Sequence, residues 1–207
     1  MGEIRQAIFF RIFGDSYHFA KMKDMKKTFL FLAEGFEEVE AVATVDVLRR
    51  GGVEVRTVSV GEQRQVKGAH GVPVIADLAL DELVAEEAEC LIFPGGMPGA
   101  QNLADHRALL ELMQRHYDAG RCVAAICAAP ALVLGRLRPG RRLRVTCYPG
   151  FEDSLPADFE VSTDGVVVDG NVITGKGPGF AVKFGLTILK HLRSEEVAKE
   201  VAAGMLL

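Results

Sequence analysis

The sequence predicts an α/β fold: an open, mainly parallel sheet with helices covering both faces. Two observations carry this. Short apolar runs of strand length alternate with longer segments of helical periodicity from Thr28 onward. The first strand, helix and strand also fit within about 30 residues, the size of a βαβ unit, whose crossover is normally right-handed and joins parallel strands. No internal repeat, low-complexity tract or second-domain boundary interrupts the alternation.

Residues 1–25 stand apart from this pattern. Ile8-Phe9-Phe10 is broken by Arg11, and Lys21, Lys23, Lys26 and Lys27 cluster late. A signal peptide would place its charge first, then an unbroken apolar stretch and a small-residue cleavage site, and that order is missing. The segment reads as a disordered or appended leader, with Met25-Lys26-Lys27 resembling a natural start. The alternative is a short amphipathic helix docking through Phe9, Phe10 and Phe13. Residues 26–207 read as a single domain.

Thr28-Phe29-Leu30-Phe31-Leu32 is the first buried strand, and Ala33-Glu34-Gly35-Phe36 breaks it. Glu37 to Arg50 reads as a helix whose buried face is Val39, Val42, Ala43, Val47 and Leu48. Its acids lead and Arg49-Arg50 close it, as the helix dipole favours, and Gly51-Gly52 stops it. Glu54 to Val60 is the next strand. Val66 to Ala76 is a β-excursion turning at Gly68 and Gly71, with His70 between them, and Asp81 to Glu89 is a short acidic helix. Cys90-Leu91-Ile92-Phe93 is a buried strand running into Pro94-Gly95-Gly96-Met97-Pro98-Gly99. Asn102 or Asp105 caps a helix reaching Ala119, with Leu109, Leu112 and Met113 inward. After a strand ending at Cys127 and the helix behind it, Leu143 to Cys147 is a further strand. Val166-Val167-Val168 and Val172-Ile173-Thr174 flank Asp169-Gly170-Asn171, a hairpin signal. A helix then runs from about Phe180 to Leu192, and Ser194 caps a last one to about Ala202.

At 207 residues the chain is long enough to bury a large core, and 49% hydrophobic with 25% charged residues is ordinary for a globular protein. A net charge of -4 and a pI near 5.8 lack the basic face of a general nucleic-acid binder. No apolar run reaches the roughly 18 residues of a membrane helix. Neither nucleic acid nor membrane is therefore an expected partner. Cys90, Cys122, Cys127 and Cys147 show no C-x-x-C spacing, so neither a zinc framework nor a thioredoxin-like redox motif is indicated. Most of these cysteines lie in or beside strand-like apolar runs, which suits a reducing cytoplasm better than a disulfide framework. His18, His106, His116 and His191 form no ligand cluster, and no metal or cofactor is expected.

The chemistry is expected at Cys127. The apolar run Val123 to Ile126 ends there, small residues follow, and Pro130 suits a first helical turn, where a missing N–H costs nothing. A cysteine at such a junction lies near unpaired N–H donors and the positive end of the helix dipole, both of which favour thiolate. A plain buried thiol is the alternative. In open α/β sheets ligands sit beyond the carboxyl ends of the strands. One such end precedes Glu37, Glu38 and Glu40, another is Gly95-Gly96, and a third is Cys127. Together they offer a thiolate, an acid to hold or accept a proton, and backbone donors for a developing oxyanion.

Ala33-Glu34-Gly35-Phe36-Glu37-Glu38-Val39-Glu40, Val45-Asp46-Val47-Leu48-Arg49-Arg50, Phe93-Pro94-Gly95-Gly96, Gly99-Ala100-Gln101-Asn102-Leu103, Ala124-Ala125-Ile126-Cys127-Ala128 and Lys176-Gly177-Pro178-Gly179 resemble the ThiJ/PfpI family. Within it they resemble the DJ branch, that of the parkinsonism-linked protein deglycase and its bacterial relatives. The similarity runs from Lys26 to about Val201. It implies a flavodoxin-like α/β sandwich, a homodimer and a nucleophile-elbow cysteine. Matched position by position, it makes Cys127 the reactive cysteine and Glu40 the acid whose protonated carboxyl hydrogen-bonds that sulfur. Gly96 and Ala128 become donors at an oxyanion-like pocket, with Gly95 beside them. A carboxyl near a thiolate in an apolar pocket should indeed have its pKa raised. His70 falls on a hairpin that in this branch reaches toward the other subunit's pocket, or is a surface histidine.

Two positions depart from the family pattern. Members with peptidase-like activity carry His directly after the cysteine, where this chain has Ala128. Many DJ relatives also have His in a Thr-x-His-Pro segment, whereas Thr146-Cys147-Tyr148-Pro149 places Tyr148 there, to orient a substrate through its hydroxyl or to pack. No Cys–His dyad is evident, so peptide hydrolysis is not expected. The resemblance implies an enzyme, free of cofactor and glutathione, that acts on small aldehydes such as methylglyoxal or on glycated substrates under carbonyl or oxidative stress. The alternative is a non-enzymatic redox sensor or chaperone working through oxidation of Cys127, with Cys147 either a resolving or a packed thiol.

Overall fold

The structure, a computed structural model, describes residues 26–84 and 88–207; the leader assigned to residues 1–25 lies outside them. Strand β1 (Lys27–Leu32), helix α1 (Glu38–Arg50) and strands β2 (Val55–Ser59), β3 (Gln65–Lys67), β4 (Pro73–Ile75), β5 (Leu78–Ala79) and β6 (Ala88–Phe93) come first. Helices α2 (Gly99–Ala104) and α3 (Arg107–Asp118) lead to β7 (Cys122–Ile126) and the one-turn α4 (Ala129–Leu132). Strands β8 (Leu143–Val145), β9 (Phe159–Val161), β10 (Val166–Asp169) and β11 (Val172–Gly175) follow, then helices α5 (Ala181–Leu192) and α6 (Glu195–Gly204).

The main sheet has seven strands in the order β10-β11-β7-β6-β1-β2-β5. Its neighbours pair in parallel except β10 and β11, which form the hairpin expected at Asp169-Gly170-Asn171. From β1 the chain steps outward to β2 and β5, then returns to β6 and proceeds through β7 to β11. That reversal opens a crevice beyond the carboxyl ends of β1 and β6, where such sheets hold ligands.

Period-two alternation divides the central strands between two cores. Phe29, Phe31, Leu91, Phe93, Val123 and Ala125 face α2, α3 and α4, and Phe31 stacks on Phe93 with ring centroids 5.3 Å apart. Leu30, Leu32, Cys90, Ile92, Cys122, Ala124 and Ile126 face α1, α5 and α6. Full burial of each large apolar side chain contributes about 1.5–3 kcal/mol, so the strand ends project from a rigid frame. Among the described residues, no helix is long and apolar enough to cross a membrane.

Four local expectations are corrected. Of the acidic helix expected at 81–89, residues 85–87 lie outside the described ones; the described part is a 3-10 turn, Leu80–Glu82, and the start of β6, where Ala88 and Cys90 pair with β1. The helix expected up to Ala119 is two helices, and α3 is capped by His106, whose ring accepts from the Leu109 N–H at 3.3 Å. Asn102 lies inside α2 and donates to the Glu34 carbonyl at 2.9 Å instead. The strand at 143–147 stops at Val145 and pairs with β9 in a separate two-stranded sheet. Finally, α1 turns Glu38, Glu40, Ala41, Thr44, Val47 and Leu48 inward, leaving Val39 and Val42 each 54% exposed. Hydrophobicity misplaces that face because both carboxylates find hydrogen-bond donors inside, which lowers the cost of burying them.

Candidate active site

Strand β7 delivers Cys127 to the carboxyl end of the sheet. There the residue takes φ 67, a left-handed conformation that costs a non-glycine residue about 1–3 kcal/mol. Two backbone bonds hold it. The Cys127 N–H donates to the Gly175 carbonyl at 2.9 Å, and the Cys127 carbonyl accepts from the Tyr148 N–H at 2.8 Å. The turn is thus gripped from β11 on one side and from the 146–149 loop on the other. Pro130 follows in the first turn of α4, as its missing N–H allows.

Glu40 arrives from the first turn of α1. Glu37 caps that helix, its carboxylate accepting from the Glu40 N–H at 2.7 Å. The Glu40 side chain is fully buried, with Oε2 accepting from the Gly95 N–H at 2.8 Å and Oε1 left without a hydrogen-bond partner. Gly95 lies between acid and thiol. A Cβ there would stand 2.5 Å from the Cys127 Cβ and 2.8 Å from Glu40 Oε2, so only glycine lets the two share the pocket. Gly96, at φ 88, packs on the backbone of Gly35 and Glu37. Its N–H and that of Ala128 are directed at the Cys127 sulfur, whereas the Gly95 N–H is occupied by Glu40.

Burial pushes the Glu40 carboxyl up to about 7, opposed by the Gly95 N–H and the Cys127 thiol. Cys127 is pushed up to about 12, first by burial and then by the charge and hydrogen bond of Glu40, against the Gly96 and Ala128 N–H groups. This corrects the expectation of a thiol acidified by a helix dipole. The helix behind it, α4, has 4 residues, too few to sum an appreciable macrodipole, and the neighbouring carboxylate outweighs two amides. Between about 7 and about 12 the pair holds one proton, and when that proton sits on Glu40 the repulsion of a thiolate is gone.

The structure brings Cys127, Glu40, Gly95, Gly96 and Ala128 together and places Tyr148 beside them through its backbone. The Tyr148 ring is 45% exposed, meets Phe151 edge-on with centroids 6.5 Å apart, and rests against Gly177. Cys147 is buried, and burial followed by the Glu152 charge pushes its thiol up to about 11. His70 belongs to a different cluster. It sits on the β3–β4 hairpin with its side chain 72% exposed and Nδ1 2.8 Å from Glu38 Oε2.

Glu38 is the residue that sequence reasoning missed. Its carboxylate also accepts from the backbone N–H of His70 at 2.7 Å and of Val72 at 3.3 Å, fastening the hairpin to α1. It fills the space where a Gly68 side chain would stand, so the glycine in that hairpin was the available signal. Burial pushes the Glu38 carboxyl up, but the His70 ring and the backbone N–H groups of Glu38, His70 and Val72 outweigh it and hold it below the ordinary value. In return, the hydrogen bond and charge of Glu38 hold His70 above its own. Among the described residues, Glu37, Glu38 and His70 alone have ligand atoms spaced to hold a metal ion, all within 4.8 Å of one another. Each already has a protein partner.

The sequence profile described as the DJ-1/PfpI family matches residues 26–191. Protein DJ-1 homolog B of Arabidopsis thaliana is 35% identical over 182 residues, which cover 88% of this chain and 42% of that protein. The chain thus spans less than half the length of that relative, and 48% of the Arabidopsis DJ-1 homolog A. The protein named glutathione-independent glyoxalase DJR-1.2 of Caenorhabditis elegans is 35% identical over 164 residues, covering 79% of this chain and 86% of its own. The crystal structure of Drosophila melanogaster DJ-1beta superposes with a TM-score of 0.83 at 33% identity, covering 88% of this chain and 98% of its own.

Proposed function

The chain belongs to the DJ-1/PfpI family and has its flavodoxin-like α/β fold, and on that premise we propose that it is a cysteine-dependent enzyme converting small reactive dicarbonyls to hydroxy acids without glutathione. What carries the proposal is the wedge at Gly95, which packs a buried carboxyl and a buried thiol closely enough to share one proton. The activity in the name of the Caenorhabditis relative is of this kind.

The sulfur of Cys127 attacks the aldehyde carbon of a methylglyoxal-like substrate while Glu40 takes the thiol proton. A C–S bond forms, and the carbonyl electron pair moves onto an oxygen facing the N–H groups of Gly96 and Ala128. That oxygen takes the proton, giving a hemithioacetal. Glu40 then removes the hydrogen of the former aldehyde carbon as a proton and returns it to the neighbouring carbonyl carbon, while the hydroxyl proton passes to the neighbouring oxygen, which leaves a thioester of the 2-hydroxy acid. Water cleaves the thioester and the thiol regains its proton. The net change adds one water to the dicarbonyl. A carboxyl near 7 is suited to such shuttling. Removal of early glycation adducts would draw on the same adduct at Cys127.

Lactate formation from methylglyoxal tests this. Wild-type kcat/KM is expected to rise through a pH of about 7, because below it Glu40 and Cys127 both hold protons and no base is present. Cys127→Ala should abolish turnover and Glu40→Gln should lower it about 10²–10⁴-fold and flatten the profile. Equal rates in the variants dismiss the proposal. A wild type without turnover, whose Cys127 alone gains two oxygens under mild peroxide, would favour the sensor role instead.

We also propose a homodimer in a reducing compartment such as the cytoplasm, where the four free cysteines would persist. Val39, Val42, Val72 and Ile75 are each more than half exposed, and Val42 and Ile75 line a cleft of about 200 Å³ with Val45 and Val74. A second copy would cover these side chains and place His70 at the rim of the contact. Sedimentation of wild type at twice the chain mass, with Val42→Glu at the chain mass, is the expected result; a monomeric wild type ends the idea.

A further inference from the structure

We propose that Tyr148 is a specificity-determining residue that favours dicarbonyls carrying a flat aryl group over their methyl analogues. This deepens the function proposed above and rests on Cys127 being the nucleophile. Three observations place Tyr148 and its ring. Its backbone N–H is tied to the Cys127 carbonyl at 2.8 Å, so the residue cannot move without disturbing the strained turn that carries the thiol. Phe151 meets the ring edge-on, with centroids at 6.5 Å. On the other side Gly177 makes room, since a Cβ there would come within 3.1 Å of the ring's Cδ2.

A tyrosine that only packs is normally covered, or has its hydroxyl paired. This one keeps 45% of its surface exposed, and among the described residues its hydroxyl makes no hydrogen bond. An aromatic side chain with an anchored backbone and only two side-chain torsions loses little conformational freedom on binding. Ring-to-ring contact adds to the area buried, at offset or edge-on geometry. A methyl substituent offers no π-face to such a surface. The preference therefore belongs to the ring of Tyr148, and Gly177 and Phe151 are its supports.

Matched α-bromoketones separate this from catalysis. Bromoacetone and 2-bromoacetophenone alkylate a thiol by displacement: the S–C bond forms, bromide leaves with its electron pair, and the thiol proton passes to a base. The readout is the ratio of aryl to methyl labelling rates at Cys127, by intact mass with Cys127→Ala as the blank, divided by the same ratio for N-acetylcysteine. The expected wild-type value is about fivefold, the size of one aromatic contact. It should fall to about one in Tyr148→Ala, stay near the wild-type value in Tyr148→Phe, and drop in Gly177→Ala as the ring is displaced. A wild-type value of one, an unchanged value in Tyr148→Ala, or loss in Tyr148→Phe each overturns the proposal. Labelling needs no turnover, so an aryl preference in a protein that makes no lactate would keep this inference and discard the enzyme.

Discussion

The first turn of α1 supplies two buried carboxylates that face opposite sides of the helix and meet opposite fates. Toward the hairpin, Glu38 accepts from the His70 ring and from the N–H groups of His70 and Val72, and is held below its ordinary pKa. Toward the strand ends, Glu40 accepts from the Gly95 N–H alone among backbone donors, leaves Oε1 unpartnered, and is pushed up to about 7. Burial acts on both in the same direction, but Glu40 lies deeper and meets fewer donors, and the two differences together set the outcome. One carboxylate is thereby a permanently charged fastener. The other, pushed up to about 7, is the proton carrier of the proposed reaction, and its environment is less stabilising than a structural role would favour. Such a loss of stability is characteristic of a working site.

The largest test of this contrast is the pH dependence of stability. Glu40 is raised from 4.5 to about 7, so in that interval the folded protein binds more protons than the unfolded chain, and stability falls as pH rises. The shift corresponds to about 3 kcal/mol across the window. Urea titrations of Glu40→Gln should lack this slope, so that the variant gains on wild type between pH 4.5 and about 7. Parallel curves would mean that Glu40 is not the proton carrier.

Glu38→Gln should show the reverse character. It keeps turnover close to wild type but costs about 2 kcal/mol, because hairpin donors lose a charged acceptor. Faster hydrogen exchange at the His70 and Val72 amides would report it directly; unchanged exchange would separate the hairpin from the helix.

The smallest effect belongs to His70→Ala. Glu38 raises the His70 pKa above 6.5, so the pair's contribution is fully present below that value and is lost as pH rises through the folded-state pKa. The variant should therefore be less stable than wild type at pH 6 and indistinguishable from it at pH 9. A deficit that persists at pH 9 would assign His70 a packing role instead.

Local chemistry makes much of this molecule legible in its sequence. Apolar runs marked β1, β6 and β7, Ser194 marked the start of α6, and Asp169-Gly170-Asn171 marked the β10–β11 hairpin. Each of these depends on a few neighbouring residues, so periodicity and turn preference suffice. The placement of Cys127 at a strand-to-helix turn was equally readable, since an apolar run, small residues and Pro130 all lie within one short stretch.

By itself, then, the sequence determined the alternation of strands and helices, the parallel sheet and the residues gathered at its carboxyl edge. Tertiary structure alone decided which side of α1 turns inward, that Gly95 is the spacer between Glu40 and Cys127, and that Glu38 holds His70. The reason is physical: burial and hydrogen-bond donors set those properties, and the donors come from far along the chain, as Gly95 does for Glu40 at a separation of 55 residues.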